Sequence, residues 1–157
     1  MDSLDEQFMR LAIAKAREGI AQGQTPFGAC IVKDRKVIAC AHNQVWSDTD
    51  ITAHAEVCAI RQACLQLKSI DLSGSVIYST CEPCPMCFSA IHWARISWII
   101  FGADIEDAKQ AGFHELEISN SQMKEMGNSG IEINSGVCQN ECVALFDLWK
   151  KNGGRVY

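Results

Sequence analysis

Proline is scarce, at 3 of 157 residues, and aromatic residues make up only 8%. No apolar run reaches the ~18 residues that a membrane span needs. With 11 glycines and 48% apolar residues, collagen-like and disordered classes are excluded and a packed core is expected. Basic charge is also in short supply: 14 Lys plus Arg stand against 19 Asp plus Glu, for a net charge of −5. A pI near 5.3 lacks the basic excess that phosphate neutralisation requires, so nucleic acid is a disfavoured partner and small, weakly charged ligands are favoured. The chain opens Met1-Asp2-Ser3-Leu4-Asp5-Glu6, acidic where a secretory signal is basic, so a cytoplasmic location is expected, with no membrane association.

Cysteine, by contrast, is plentiful. Nine is an odd count, so complete internal pairing is impossible. Cys30, Cys40, Cys58 and Cys64 lie in apolar runs, where a free thiol behaves as a small hydrophobe, and the chain reads as a reduced protein. Its length suits one domain over residues 1–157.

Ser3 and Glu6 form a capping box, and Leu4, Phe8, Leu11 and Ala12 follow at helical spacing, predicting a helix that stops near Gly23. After the turn at Thr25-Pro26-Phe27-Gly28, Ala29–Lys33 and Val37–Ala41 read as a hairpin that delivers His42 and Asn43 to a polar loop from Val45 to Thr52. A helix from about Ala53 to Leu67 carries His54 and Glu56 in its first turn. Ser75–Thr80 reads as a strand, Pro85 opens a helix to about Ala94, and Ile96–Phe101 reads as a buried strand. A short helix is expected over Asp104–Ala111. From Phe113 to Gly136 the pattern is weak, with Ile131–Ile133 a short strand at best. Cys142, Leu145, Phe146 and Trp149 then mark a closing helix over Cys138–Lys151. Alternating strands and helices predict an α/β fold, a three-layer α/β/α sandwich around a mixed sheet of about five strands.

The chemistry concentrates in His54-Ala55-Glu56 and Pro83-Cys84-Pro85-Met86-Cys87. One imidazole and two thiolates fill three positions of a zinc tetrahedron and leave the fourth for water, the mark of a catalytic rather than a structural site. Cys84 and Cys87, three apart at a helix start, can point one way, and the N–H groups there favour thiolate. Glu56 is too close to His54 to be a comfortable fourth ligand and is better placed as an acid/base beside the metal water. Alone, a Cys-x-x-Cys or a helix-start His more often serves redox, structural zinc or surface hydrogen bonding; together, each after a strand, the two motifs favour catalysis. Cys81 also lies three before Cys84, so either cysteine pair could chelate; Cys84 and Cys87 are preferred because they share one helical turn.

The His-x-Glu and Pro-Cys-x-x-Cys pattern resembles the zinc-dependent cytidine deaminase superfamily. Pro26–Ala29, His42-Asn43, Thr52–Val57, Ile60-Arg61, Cys81–Cys87, Ala90-Ile91, Trp93-Ala94-Arg95 and Ala111-Gly112-Phe113 together resemble the short bacterial type of guanine deaminase over about residues 8 to 115, with the final Tyr157. The resemblance implies a cytidine deaminase-like fold in which His54, Cys84 and Cys87 bind Zn²⁺, lowering the pKa of a bound water to about 7. Glu56 is then the catalytic residue, moving a proton from that water to the leaving amine as guanine becomes xanthine and ammonia. It also implies that Asn43 bonds the purine, that Phe27 and Trp93 wall the pocket, and that Ala55, Glu115 and Tyr157 contact substrate. Glu115 stands where the resemblance places a substrate-contacting acid. A homodimer is expected, with the segment from about 137 to 157 exchanged between subunits and two glycines, Gly153 and Gly154, allowing the swing. A tRNA adenosine deaminase shares both motifs, but net charge argues against it, and Lys150, Lys151 and Arg155 are the only late basic cluster. The remaining alternative is a non-catalytic protein in which Cys81 closes a four-ligand zinc site.

Overall fold

The computed structural model describes residues 3–157. The chain runs α1 (Leu4–Ala21), β1 (Gly28–Lys33), β2 (Lys36–His42), α2 (Val45–Asp48), α3 (Ala55–Leu67), β3 (Ser75–Cys81), α4 (Pro85–Trp93), β4 (Trp98–Ala103), α5 (Ile105–Ala111), α6 (Asn120–Met126), β5 (Glu132–Ser135) and α7 (Gln139–Lys151). The five strands form one sheet in the order β2-β1-β3-β4-β5. β1 pairs antiparallel with both β2 and β3, whereas β3, β4 and β5 are mutually parallel.

Each sheet face carries its own core. Phe8, Met9, Ile13 and Ile20 of α1 pack with Leu145, Phe146 and Trp149 of α7 over Cys30, Tyr78 and Ile100. On the other face Ala55, Ala59 and Ala63 of α3 and Phe88 and Ile91 of α4 cover Ile31, Ile77 and Ile99. This is the expected three-layer sandwich. Among the described residues no helix is long and apolar enough to cross a membrane.

Gly28 explains how closely α1 sits on β1. A Cβ there would lie 2.1 Å from the Ala12 carbonyl oxygen and 2.7 Å from the Ala16 nitrogen, so only glycine permits the approach. Phe27, the preceding residue, is thereby held against Phe113 and Phe146 at ring-centroid distances of 4.9 and 5.9 Å.

Some expectations need correction. The buried stripe of α1 is Phe8, Met9, Ala12, Ile13, Ala16, Gly19 and Ile20, while Leu4 and Leu11 face solvent. The Val45–Thr52 loop contains the short α2, and His54 is the N-cap of α3 rather than a residue of its first turn. The weak region holds a helix, α6, opened by a capping box between Ser119 and Gln122. Its one buried residue is the polar Asn120, so it has no apolar periodicity to betray it.

Candidate active site

The C-terminal end of the central strand β3 leads the chain from Cys81 to the start of α4, and β2 leads through α2 to the start of α3. His54 caps α3 and Cys84 caps α4, both in extended backbone, so two helix N-termini converge on one point. Their unpaired N–H groups favour negative charge there. The His54 Nδ1 atom lies 3.6 Å from Cys84 Sγ and 3.5 Å from Cys87 Sγ. A tetrahedral zinc ion with ordinary bond lengths holds a nitrogen and a sulfur about 3.5 Å apart, so both nitrogen–sulfur separations suit the ion. His54, Cys84 and Cys87 are the metal-competent group among the described residues. Cys81 is not in it: its thiol points to the Asp104 carbonyl at 3.5 Å, and burial pushes it well up. Of the two cysteine pairs, it is Cys84 and Cys87 that lie together beside His54.

The electrostatics suit a cation. The bond from Cys87, assisted by His54, holds the Cys84 thiol down at about 4 despite burial. The bond to Cys84 and burial hold Cys87 well up, so without metal one proton stays on that thiol, directed also at Glu56 Oε2 3.4 Å away. Burial opposes the charged form of His54, but its bond to Cys84 and the charges of Glu56 and Cys84 outweigh this and raise it. Burial, then the Cys84 charge, raises Glu56.

Glu56 is held from the sheet. The Ser79 hydroxyl donates to its Oε1 at 2.9 Å, and both residues are buried. Sequence reasoning passed over Ser79; the available signal was a polar residue on a β3 position that shares the face of Ile77 and so looks toward α3. Glu82, also buried, accepts from the Asn120 and Ile105 backbone N–H groups at 2.7 and 3.3 Å, tying the starts of α6 and α5 to the cysteine loop.

A cavity of about 280 Å³ opens beside the metal ligands, walled by Phe27, Phe113, Met86, Glu115 and Tyr157. Glu115 reaches into it with Oε2 buried and unpartnered, and burial, with the charges of Cys84 and Glu56, pushes its carboxyl up to about 8. Tyr157 lies over His54 at a centroid distance of 5.6 Å and beside Phe113 at 5.9 Å. The final residue thus lies in the site of its own chain in this structure.

Of the expected substrate contacts, Phe27, Glu115 and Tyr157 line the cavity. Three others do not. Trp93 is 82% exposed and lines a separate surface hollow with Ile70, Asp71, His92 and Arg95, because it ends α4 at the opposite pole from Cys84. Asn43 is fully buried with its amide already engaged: Oδ1 accepts from the Val45 N–H at 3.0 Å and Nδ2 donates to the Tyr157 hydroxyl at 2.9 Å. It reaches the cavity only through Tyr157. Ala55 is buried at the first position of α3.

Three metal-competent side chains, a cavity beside them and a buried carboxyl at their side are the parts that a metal-dependent hydrolase needs. Residues 2–103 match the cytidine and deoxycytidylate deaminase zinc-binding region, and the chain belongs to that family of deaminases. It is 47% identical to the guanine deaminase of Bacillus subtilis (strain 168) over 111 residues, 70% of this chain and 71% of that protein. It is also 36% identical to the tRNA-specific adenosine deaminase of the same organism, over 92% of this chain and 88% of that protein. The solved guanine deaminase from Nitrosomonas europaea superposes with a TM-score of 0.85 at 27% identity, covering 93% of this chain and 84% of that one.

Proposed function

We propose that this chain removes the exocyclic amine of a free purine base by hydrolysis, with guanine as substrate and xanthine and ammonia as products. The observation that carries this reading is the cavity lining: Glu56, Glu82 and Glu115 contribute carboxyls and no Lys or Arg lines it among the described residues, so it suits a neutral base and offers phosphate no basic side chain. Arg155 is engaged at the mouth, its guanidinium carbon 3.7 Å from the centre of the Trp46 ring.

His54, Cys84 and Cys87 would hold Zn²⁺, which lowers the pKa of a water in its open position to about 7. Glu56 takes a proton from the attacking water as the new C–O bond forms. It returns a proton to the amine as the C–N bond breaks, so one water is consumed for each ammonia released. Ser79 fixes one Glu56 oxygen and leaves the other facing the ligands. Phe27 and Phe113 flank the base, Glu115 meets a ring N–H, and Tyr157 closes the site against bulk water.

A tRNA adenosine deaminase is the second reading, favoured by the greater share of the chain that its Bacillus subtilis relative matches. A closed structural zinc site is the third, and the Cys81 contact with Asp104 speaks against it. The test is ammonia release by the zinc-loaded protein from guanine, guanosine, cytosine and adenosine in parallel, with Glu56→Ala as blank and an anticodon stem-loop as a fifth substrate. Release from guanine alone is expected. Release from the stem-loop alone would replace the proposal with tRNA editing, and silence on all five would favour the structural site.

A further inference from the structure

The last five residues are shaped residue by residue to one path. Gly153 takes a left-handed conformation (φ +71°) that ends α7, its N–H bonding the Lys150 carbonyl at 3.1 Å. Gly154 lies flat on the Trp149 indole, where a Cβ would come within 2.2 Å of the ring. The Arg155 guanidinium carbon sits 3.7 Å from the centre of the Trp46 ring, and the Trp46 indole N–H points to the Arg155 carbonyl at 3.4 Å. Tyr157 then enters the site, 6.2 Å from Trp46 between ring centroids and hydrogen-bonded to Asn43.

Trp46 is itself anchored. It belongs to α2, whose lead-in is fixed by Asn43 accepting from the Val45 N–H, and its own N–H donates to Gln24 Oε1 at 3.2 Å. A single indole thus grips the tail through its ring face and its N–H, two residues before the side chain that closes the cavity.

We propose that Trp46 and Arg155 form a clasp that positions Tyr157 over the substrate, acting on substrate affinity through Tyr157 rather than touching the base. The effect on turnover rests on the deaminase reading above; the mechanical part does not. Arg155 is exposed and makes no core contact, so removing it tests the clasp without threatening the fold.

The experiment uses the full-length, zinc-loaded protein. Release of Tyr157 by a serine carboxypeptidase is followed by mass spectrometry, and guanine kinetics are measured on the same samples. Loss of a surface cation–π contact and a weak hydrogen bond predicts that Trp46→Ala and Arg155→Ala release Tyr157 about 3- to 10-fold faster and raise KM by about the same factor. kcat should change less, and Trp46→Phe, which keeps a ring for Arg155, should recover much of the protection. Release of Tyr157 at the wild-type rate in both alanine variants overturns the clasp, whatever the kinetics. A wild-type protein silent on guanine but showing the expected protease pattern would retain the clasp and remove guanine as the substrate.

Discussion

The Ser79 hydroxyl donates to Glu56 Oε1 at 2.9 Å across the interface between β3 and α3, fixing the carboxyl that lies nearest the metal ligands. Because Glu56 is buried, no water can replace that donor without rearrangement. Removing the partner of a buried charged group costs about 1–3 kcal/mol. Ser79→Ala should therefore lower kcat by about 10-fold with little change in KM or zinc content, and Ser79→Thr should recover most of it. Unchanged kcat in Ser79→Ala would show that Glu56 is held by other contacts.

The acid and the ligands should fail differently. Glu56→Ala removes a proton carrier but none of the three metal-competent side chains, so metal content and fold should persist while turnover drops by ~10²- to 10⁴-fold. Cys84→Ala or Cys87→Ala should lose the metal itself, leaving two donors of a site whose sulfurs now sit 3.5–3.6 Å from the His54 nitrogen. Metal analysis of the purified variants separates the two outcomes, and full zinc occupancy in Cys87→Ala would exclude it as a ligand.

The sequence exposed the parts of this molecule that repeat or cap. The α7 stripe of Cys142, Leu145, Phe146 and Trp149 is buried as its spacing requires, and the Ser3–Glu6 box opens α1. The His54, Glu56, Cys84 and Cys87 constellation was readable because helix starts fix side-chain direction over a few residues. The positions of Trp93 and Asn43 outside the cavity lining depend on tertiary geometry that the sequence does not display: one falls at the far end of α4, and the other is sealed beneath Tyr157. α6 rests on Asn120, whose side-chain amide donates to the Pro83 carbonyl at 2.6 Å, a polar anchor that hydrophobic periodicity cannot reveal. Its Ser119–Gln122 capping box was the one legible sign.

Gly28 couples fold to site. With the Ala12 carbonyl oxygen 2.1 Å from the position of its missing Cβ, Gly28→Ala must push α1 away from β1 or bend the strand. Overpacking of this kind costs about 1–3 kcal/mol, so the urea midpoint should fall by a corresponding amount with the m-value unchanged. Phe27 would shift with it, and KM for the substrate should rise. A variant as stable as the parent would mean that the contact relaxes freely.

Glu115 gives the pH dependence a sign. Its carboxyl is pushed from an ordinary 4.5 up to about 8, first by burial and then by the charges of Cys84 and Glu56. Between those values the unfolded chain has released the proton and the folded chain still holds it, so the folded state binds more protons. Its contribution is complete below the unfolded value and is lost as pH rises toward the folded one. Metal-free protein should therefore lose stability between about pH 5 and about pH 8, and metal-free Glu115→Gln should lose less over the same range. The loaded protein should show a shallower slope than the metal-free one, because a cation on Cys84 cancels one of the charges that raise Glu115. Urea midpoints across that range measure all three, and parallel curves for wild type and Glu115→Gln would place the pH dependence elsewhere. Glu115→Gln, which keeps a hydrogen-bond acceptor at that position and adds a donor, should retain more guanine turnover than Glu115→Ala.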